Sequence, residues 1–155
     1  MSLIIRKAQI QDLDRILELG TELMISDGRF DPLFKEDWYL SDDGKKFITQ
    51  AIKGRNQVCF LAELEDKIVG YASCKILPID SWRPVKRAQL VNLIVKQNYR
   101  NLGIGHQLMA AFKEWAKNRG AKKAKVETMA MNTEAKRFYE DNKFTSYLTI
   151  LESDI

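Results

Sequence analysis

Residues 95–109 read VKQNYRNLGIGHQLM, and this stretch decides the fold. An apolar, strand-like run ends at Val95, passes through Arg100, Asn101, Leu102, Gly103, Ile104 and Gly105, and leads directly into an amphipathic helical pattern. Such a turn points successive backbone N–H groups and a helix N-terminus at one place, as a pyrophosphate requires. Gly103 and Gly105 carry no Cβ, so the main chain there can approach phosphate oxygens and take up positive φ. A helix starting near Ile104 adds the positive end of its dipole, and Arg100 places a permanent charge at the rim. Spacing excludes two other phosphate loops. No GxxxxGK[ST] run occurs in the chain, and a GxGxxG fingerprint starting at Gly103 would need glycine where Leu108 stands.

Working outward, the 155 residues are 45% hydrophobic and 30% charged, which predicts one globular domain with a substantial core. No basic-then-apolar leader opens the sequence and no apolar run reaches the roughly eighteen residues of a membrane span, so the expectation is a cytoplasmic protein with no membrane partner. Cys59 and Cys74 are the only cysteines and His106 the only histidine. That inventory leaves little for a metal centre or a Ser-His-Asp triad. The net charge of +4 gathers at Lys113, Lys117, Arg119, Lys122, Lys123 and Lys125. Most of these alternate with Phe112, Trp115 and Ala116 at helical spacing, which predicts a solvated helix face and no nucleic-acid partner.

Periodicity predicts a strand at Leu3–Arg6, then a helix carrying Ile10, Leu13, Ile16, Leu17, Leu23 and Met24. A loop with short helical turns follows over 27–43, and a second helix over Gly44–Lys53. Val58–Leu64 and Ile68–Leu77 form a hairpin about Glu65, Asp66 and Lys67. Ala88–Val95 reads as a central strand buried on both faces. After the helix that Gly120 stops come a strand over Ala124–Met129, a helix over Thr133–Asn142 and a last strand over Phe144–Leu151. The order describes an α/β domain with a mixed sheet.

At this point the chain resembles, over essentially its whole length, the GNAT superfamily of acetyl-CoA-dependent N-acetyltransferases. The signature [RQ]xxGx[GA] is met by Arg100, Gly103 and Gly105. A second signature, NxxAxxxYExxGF, is met by Asn132, Ala135, Tyr139, Glu140 and Phe144, with Lys143 where the family usually has glycine. The pair in this order is far more specific than either alone. The resemblance implies the GNAT fold, a mixed central sheet of about six to seven strands flanked by about four helices, and acetyl-CoA as co-substrate with no metal.

Carried across residue by residue, the resemblance implies that main-chain groups of Leu93 and Val95 bind the pantetheine arm as an added strand would. The amides from Leu102 to His106, including Gly103, Ile104 and Gly105, would hold the pyrophosphate, with Arg100 and Asn101 at the rim. Asn132 matches the family's side-chain contact to the arm and also suits a helix cap. Tyr139 matches the tyrosine beside the cofactor sulfur, where a phenol can protonate the departing thiolate. The Leu93 amide suits an oxyanion.

An amine acceptor is mostly protonated at neutral pH and must lose a proton before attack. The carboxylates that do this on the fourth strand of some relatives are missing, since Gln89, Val91 and Asn92 stand there. Glu127, five residues before Asn132, is the best substitute, with a water chain as its rival. Asp27, Asp31, Glu36, Asp37, Asp42 and Asp43 fall where the family lines its acceptor cleft, which suits a cationic amine. Phe30, Phe34, Trp38 and Tyr39 either wall that pocket or belong to the core. A small amine and a peptide or protein amine both stay open as acceptors. The resemblance is also compatible with a homodimer through the last strand or the Trp82 loop, and with a non-catalytic acyl-CoA-binding module.

Overall fold

A computed structural model describes residues 2–155. Five strands form one sheet in the order β1-β2-β3-β4-β5: β1 Leu3–Lys7, β2 Gln57–Leu64, β3 Lys67–Ile76, β4 Arg87–Val95 and β5 Lys123–Val126. Neighbours are antiparallel except β4 and β5, which run parallel. Four helices cover the sheet: α1 Leu13–Gly28, α2 Asp42–Lys53, α3 Ile104–Asn118 and α4 Thr133–Asp141.

The alternation along the strands divides the core in two. Val58, Phe60, Ala72, Leu90, Leu108 and Phe112 meet on one face, under α3, with Phe138 and Tyr139 of α4 packed against them. Ile16, Leu19, Ile48, Cys59, Leu61, Tyr71 and Ile94 meet on the other, under α1 and α2. Successive residues of β2 therefore serve opposite cores, as the period of a strand requires. The α2 N-terminus is capped by Ser41, whose Oγ accepts from the Gly44 N–H at 3.2 Å.

Three sequence expectations are corrected. The sheet has five strands among the described residues rather than six or seven, because 144–155 pair with no strand. β5 ends at Val126 rather than Met129. β4 is central but is not buried on both faces. Ala88, Leu90 and Ile94 are buried, whereas Val91, Asn92 and Leu93 are partly open. The reason is the short partner: β5 matches β4 only from Arg87 to Leu90, and past that point the two strands part.

Candidate active site

The parting of β4 from β5 opens the site. Lys96 donates its N–H to the Val69 carbonyl at 2.8 Å, so by strand alternation the main-chain groups of Leu93 and Val95 face away from β3, toward the gap. The Val95 carbonyl accepts from Arg100 Nε at 3.0 Å, which confirms its direction. These groups border a cavity of about 250 Å³.

The glycine turn forms another wall. Gly103 is the N-cap of α3 with φ of 77°, the left-handed region, and a Cβ there would meet nothing within 4 Å. Asn101 is left-handed too, at 62°. No side chain caps α3 and no acidic residue lies in its first turn, so the amides that lack an intrahelical acceptor are free for an anion. Gly103, Ile104, Gly105 and His106 all line the cavity, with Arg100 and Asn101 beside them. A diphosphate fits this donor set. Gly105 has a second constraint, since its Cβ would come 3.2 Å from the Phe138 ring.

Helix α4 brings the third wall. Asn132 Oδ1 accepts from the Ala135 N–H at 3.1 Å and so caps α4, while also lining the cavity. Tyr139 lines it from the last turn of the helix. Its ring packs edge-on against Phe138 at 5.4 Å and Phe144 at 5.8 Å. Burial, and then the charge of Asp27, push its phenol up to about 12. Tyr139 therefore holds its proton at neutral pH and can serve as an acid rather than a base.

Beyond Asn142 the chain turns through Lys143 at φ of 69°. The Lys143 N–H donates to the Glu140 carbonyl at 2.9 Å and the Phe144 N–H to the Tyr139 carbonyl at 3.0 Å. This is a Schellman turn, and it explains why the GNAT signature carries glycine here. The lysine keeps the turn at a conformational cost.

Helix α1 closes the cavity with Leu23, Ser26 and Asp27. Because α1 continues to Gly28, Asp27 is fixed on a helix rather than carried on the loop expected there. Its carboxyl is raised above the ordinary aspartate value, first by burial, with Arg29 opposing.

The cavity thus brings together Leu93, Val95, Arg100, Asn101, Gly103, Ile104, Gly105, His106, Asn132 and Tyr139. Two residues singled out from sequence stand apart. Leu102 is 54% exposed and outside the lining. Glu127 follows the end of β5, and its exposed carboxylate pairs with Lys125 Nζ at 2.7 Å. Asn92 is occupied in the sheet, where its Oδ1 accepts from the buried Ser73 hydroxyl at 2.8 Å.

Of the acidic group over 27–43, Asp27 alone lines the cavity. The aromatic residues do not wall it. Tyr39 is 3% exposed and lies over Gly20, where a Cβ would come 2.6 Å from its ring, and Trp38 packs edge-on against Tyr39 and Phe47. Sequence reasoning missed Tyr99, Glu134 and Phe138 as lining residues. Of these, Phe138 carried a signal, being one position before the signature tyrosine and on the same side of α4 as Ala135.

Residues 17–144 match the family described as Acetyltransferase (GNAT) family. The chain is 28% identical over 99 residues to the uncharacterized N-acetyltransferase YhfO of Bacillus subtilis (strain 168), covering 63% of this chain and 65% of that protein. It is 24% identical over 150 residues to the spermidine N(1)-acetyltransferase of Thermoplasma acidophilum, covering 93% and 89%. Among solved structures, the tetramutant of the BH1408 protein from Bacillus halodurans superposes with a TM-score of 0.85 at 20% identity, covering 98% and 99% of the two chains. With its glycine turn, parted strands and signature tyrosine in one cavity, this chain belongs to the GNAT acetyltransferase family.

Proposed function

We propose that this protein transfers an acetyl group from acetyl-CoA to the primary amine of a cationic acceptor, by direct attack in a ternary complex. The observation that carries the reading is the convergence of Leu93, Tyr139 and the α3 N-terminus on one cavity. The amides of Gly103 to His106 bind the pyrophosphate, with Arg100 at the rim. The outward main-chain groups of Leu93 and Val95 hold the pantetheine arm as a sheet edge holds a peptide, and Asn132 contacts it.

With the thioester so laid, the Leu93 N–H stabilises the oxyanion formed when the amine nitrogen attacks the carbonyl carbon. Collapse breaks the C–S bond, Tyr139 gives its phenolic proton to the departing sulfur, and the proton that the former amine nitrogen sheds as the amide forms restores the phenol. Asp27 is the cavity carboxylate suited to hold the acceptor ammonium and take its proton, because burial raises it toward neutral pH. Glu127, the residue favoured from sequence, is paired to Lys125 and outside the lining, so Asp27 replaces it in this reading. A covalent acetyl-cysteine route has no support, since Cys59 and Cys74 are buried in the core and burial pushes both thiols up.

Both a family relative that acts on spermidine and the Asp27 position favour a small polycation over a neutral amine. The test is free-thiol release from acetyl-CoA across polyamines, aminoglycosides, amino acids and short peptides, with Tyr139→Phe beside the wild type. Turnover with a cationic class, slowed about 10²-fold or more in the variant, supports the reading. CoA binding without turnover on any acceptor would favour a non-catalytic binding module, and failure to bind CoA would overturn both.

A further inference from the structure

The Asp27 carboxylate joins no ion pair among the described residues, yet it stands over a group of buried hydroxyl and amide side chains. Gly20, Leu23 and Asp27 share one face of α1. Leu23 packs against the core that holds Tyr39, Tyr71 and Ile94, and the Tyr39 ring lies against Gly20. Side chains on a helix lean toward its N-terminus, so the Asp27 carboxyl leans back over this core.

The polar groups beneath it have a direction. Ser73 is buried and gives its hydroxyl hydrogen to Asn92 Oδ1 at 2.8 Å. Asn92 is left with its amide N–H groups to offer, and these only donate. The Tyr39 hydroxyl stands beside both the Asn92 side chain and the Tyr71 hydroxyl. Tyr71 is fully buried, and its hydroxyl closes no hydrogen bond among the described residues, an arrangement that costs stability until a partner is found. Burial pushes both phenols up, so both hold their protons at neutral pH. A hydroxyl has two acceptor sites and one hydrogen. With Asn92 and Tyr71 donating toward its oxygen, Tyr39 must send its own hydrogen elsewhere, and the acceptor that acts on both phenols is Asp27.

We propose that Tyr39 is a positioning residue for Asp27: ordered from behind by Tyr71 and Asn92, its hydroxyl donates to the Asp27 carboxylate and holds it toward the cavity. This rests on the assignment of Asp27 as the group that takes the acceptor's proton. The Tyr39 ring belongs to the core, while its hydroxyl serves the site. A hydrogen bond to the charged form favours that form, so Tyr39 opposes the burial that raises the Asp27 carboxyl. Tyr71 acts through Tyr39, because donation to a hydroxyl oxygen makes its hydrogen a stronger donor.

The experiment is a pH titration of the Asp27 side-chain carboxyl by carbon-13 NMR in the free protein, assigned with Asp27→Asn, for wild type, Tyr39→Phe, Tyr71→Phe and the double variant. Arg29, Arg100, His106, Glu134 and Tyr139 share the cavity with Asp27 and are the same in all of them, and Lys96 is held by Glu22 at 3.5 Å. Tyr39→Phe should raise the Asp27 midpoint by about 1 pH unit. Tyr71→Phe should raise it by a smaller amount, and the double variant should match Tyr39→Phe alone, since Tyr71 has no route to Asp27 once the Tyr39 hydroxyl is gone. An Asp27 midpoint that Tyr39→Phe leaves in place or lowers overturns the proposal. So do additive shifts, which would mean that Tyr71 reaches Asp27 independently. The titration needs neither CoA nor an acceptor, so it stands apart from the catalytic assignment: Asp27→Asn with undiminished thiol release would remove Asp27 from the reaction without changing what Tyr39 does to its carboxyl. Where both hold, the acid limb of the pH–rate profile moves with the NMR midpoint in Tyr39→Phe.

Discussion

Tyr139 and Phe144 are joined twice across one turn: the Phe144 N–H donates to the Tyr139 carbonyl at 3.0 Å, and their rings meet edge-on at 5.8 Å. The turn that makes both contacts depends on Lys143 holding φ of 69°, a conformation costly for any residue with a Cβ. Lys143→Gly should therefore stabilise the fold by about 0.5–1 kcal/mol in urea unfolding, with thiol-release kinetics unchanged. A loss of stability would mean that the lysine side chain, rather than the turn, is what the position needs.

Gly105 packs against Phe138 at a distance that admits no methyl group without movement. Gly105→Ala should push the α3 N-terminus off α4, costing about 1–3 kcal/mol in stability and weakening CoA binding about tenfold. Adding Phe138→Leu should recover much of both losses. Calorimetric titration with CoA on the single and double variants reads the coupling directly.

Asp27 and Glu127 make opposite predictions for the pH–rate profile. The Asp27 carboxyl lies among Arg29, Tyr39, Tyr71 and Tyr139 and is raised by burial, so its working carboxylate form is lost as pH falls through a value above that of free aspartate. Asp27→Asn should lower kcat/KM and abolish the acid limb of the profile, while Glu127→Gln should leave that limb in place. Stability should move the other way. A carboxyl whose folded value is raised favours folding fully only below its unfolded value, and that contribution disappears as pH rises through the folded one. At pH 7 Asp27→Asn should thus raise the melting temperature even as activity falls.

At high pH the phenol of Tyr139 is the group to watch. Its raised value means that folding is unaffected by this group below about pH 10, and that stability falls as pH rises from there through about 12. Tyr139→Phe should flatten that part of the stability curve, measured by urea midpoints across the alkaline range.

Much of this was legible in the sequence where the signal was local. The Gly103 and Gly105 turn, the Asn132 cap and the hairpin about Glu65 and Asp66 each follow from residues a few positions apart. What the sequence concealed depends on where a neighbour stops. Glu127 reads as a strand residue, but β5 has run out one position earlier, and only the pairing register reveals it. Asp27 reads as loop because Gly28 follows it, yet tertiary contacts carry α1 through both. Tyr39 sits in an aromatic-rich stretch that suits a pocket wall equally well, and its contact with Gly20, nineteen positions away, is what places it in the core. Residues 144–151 have the composition of a strand, but composition supplies no partner edge, and they pair with no strand among the described residues.

On the proposed binding mode, the early end of β4–β5 pairing also ties the persistence of this protein to its ligand. Main-chain groups at Leu93 and Val95 can be bonded by an extended molecule only while the sheet exists, since the unfolded chain has no such edge. A ligand held there at a hundred times its Kd adds about 2.7 kcal/mol to the folded state and cuts the unfolded fraction about a hundredfold. Degradation that acts on the open chain then slows in proportion. On that binding mode, a shortage of the ligand shortens the life of the protein that would use it.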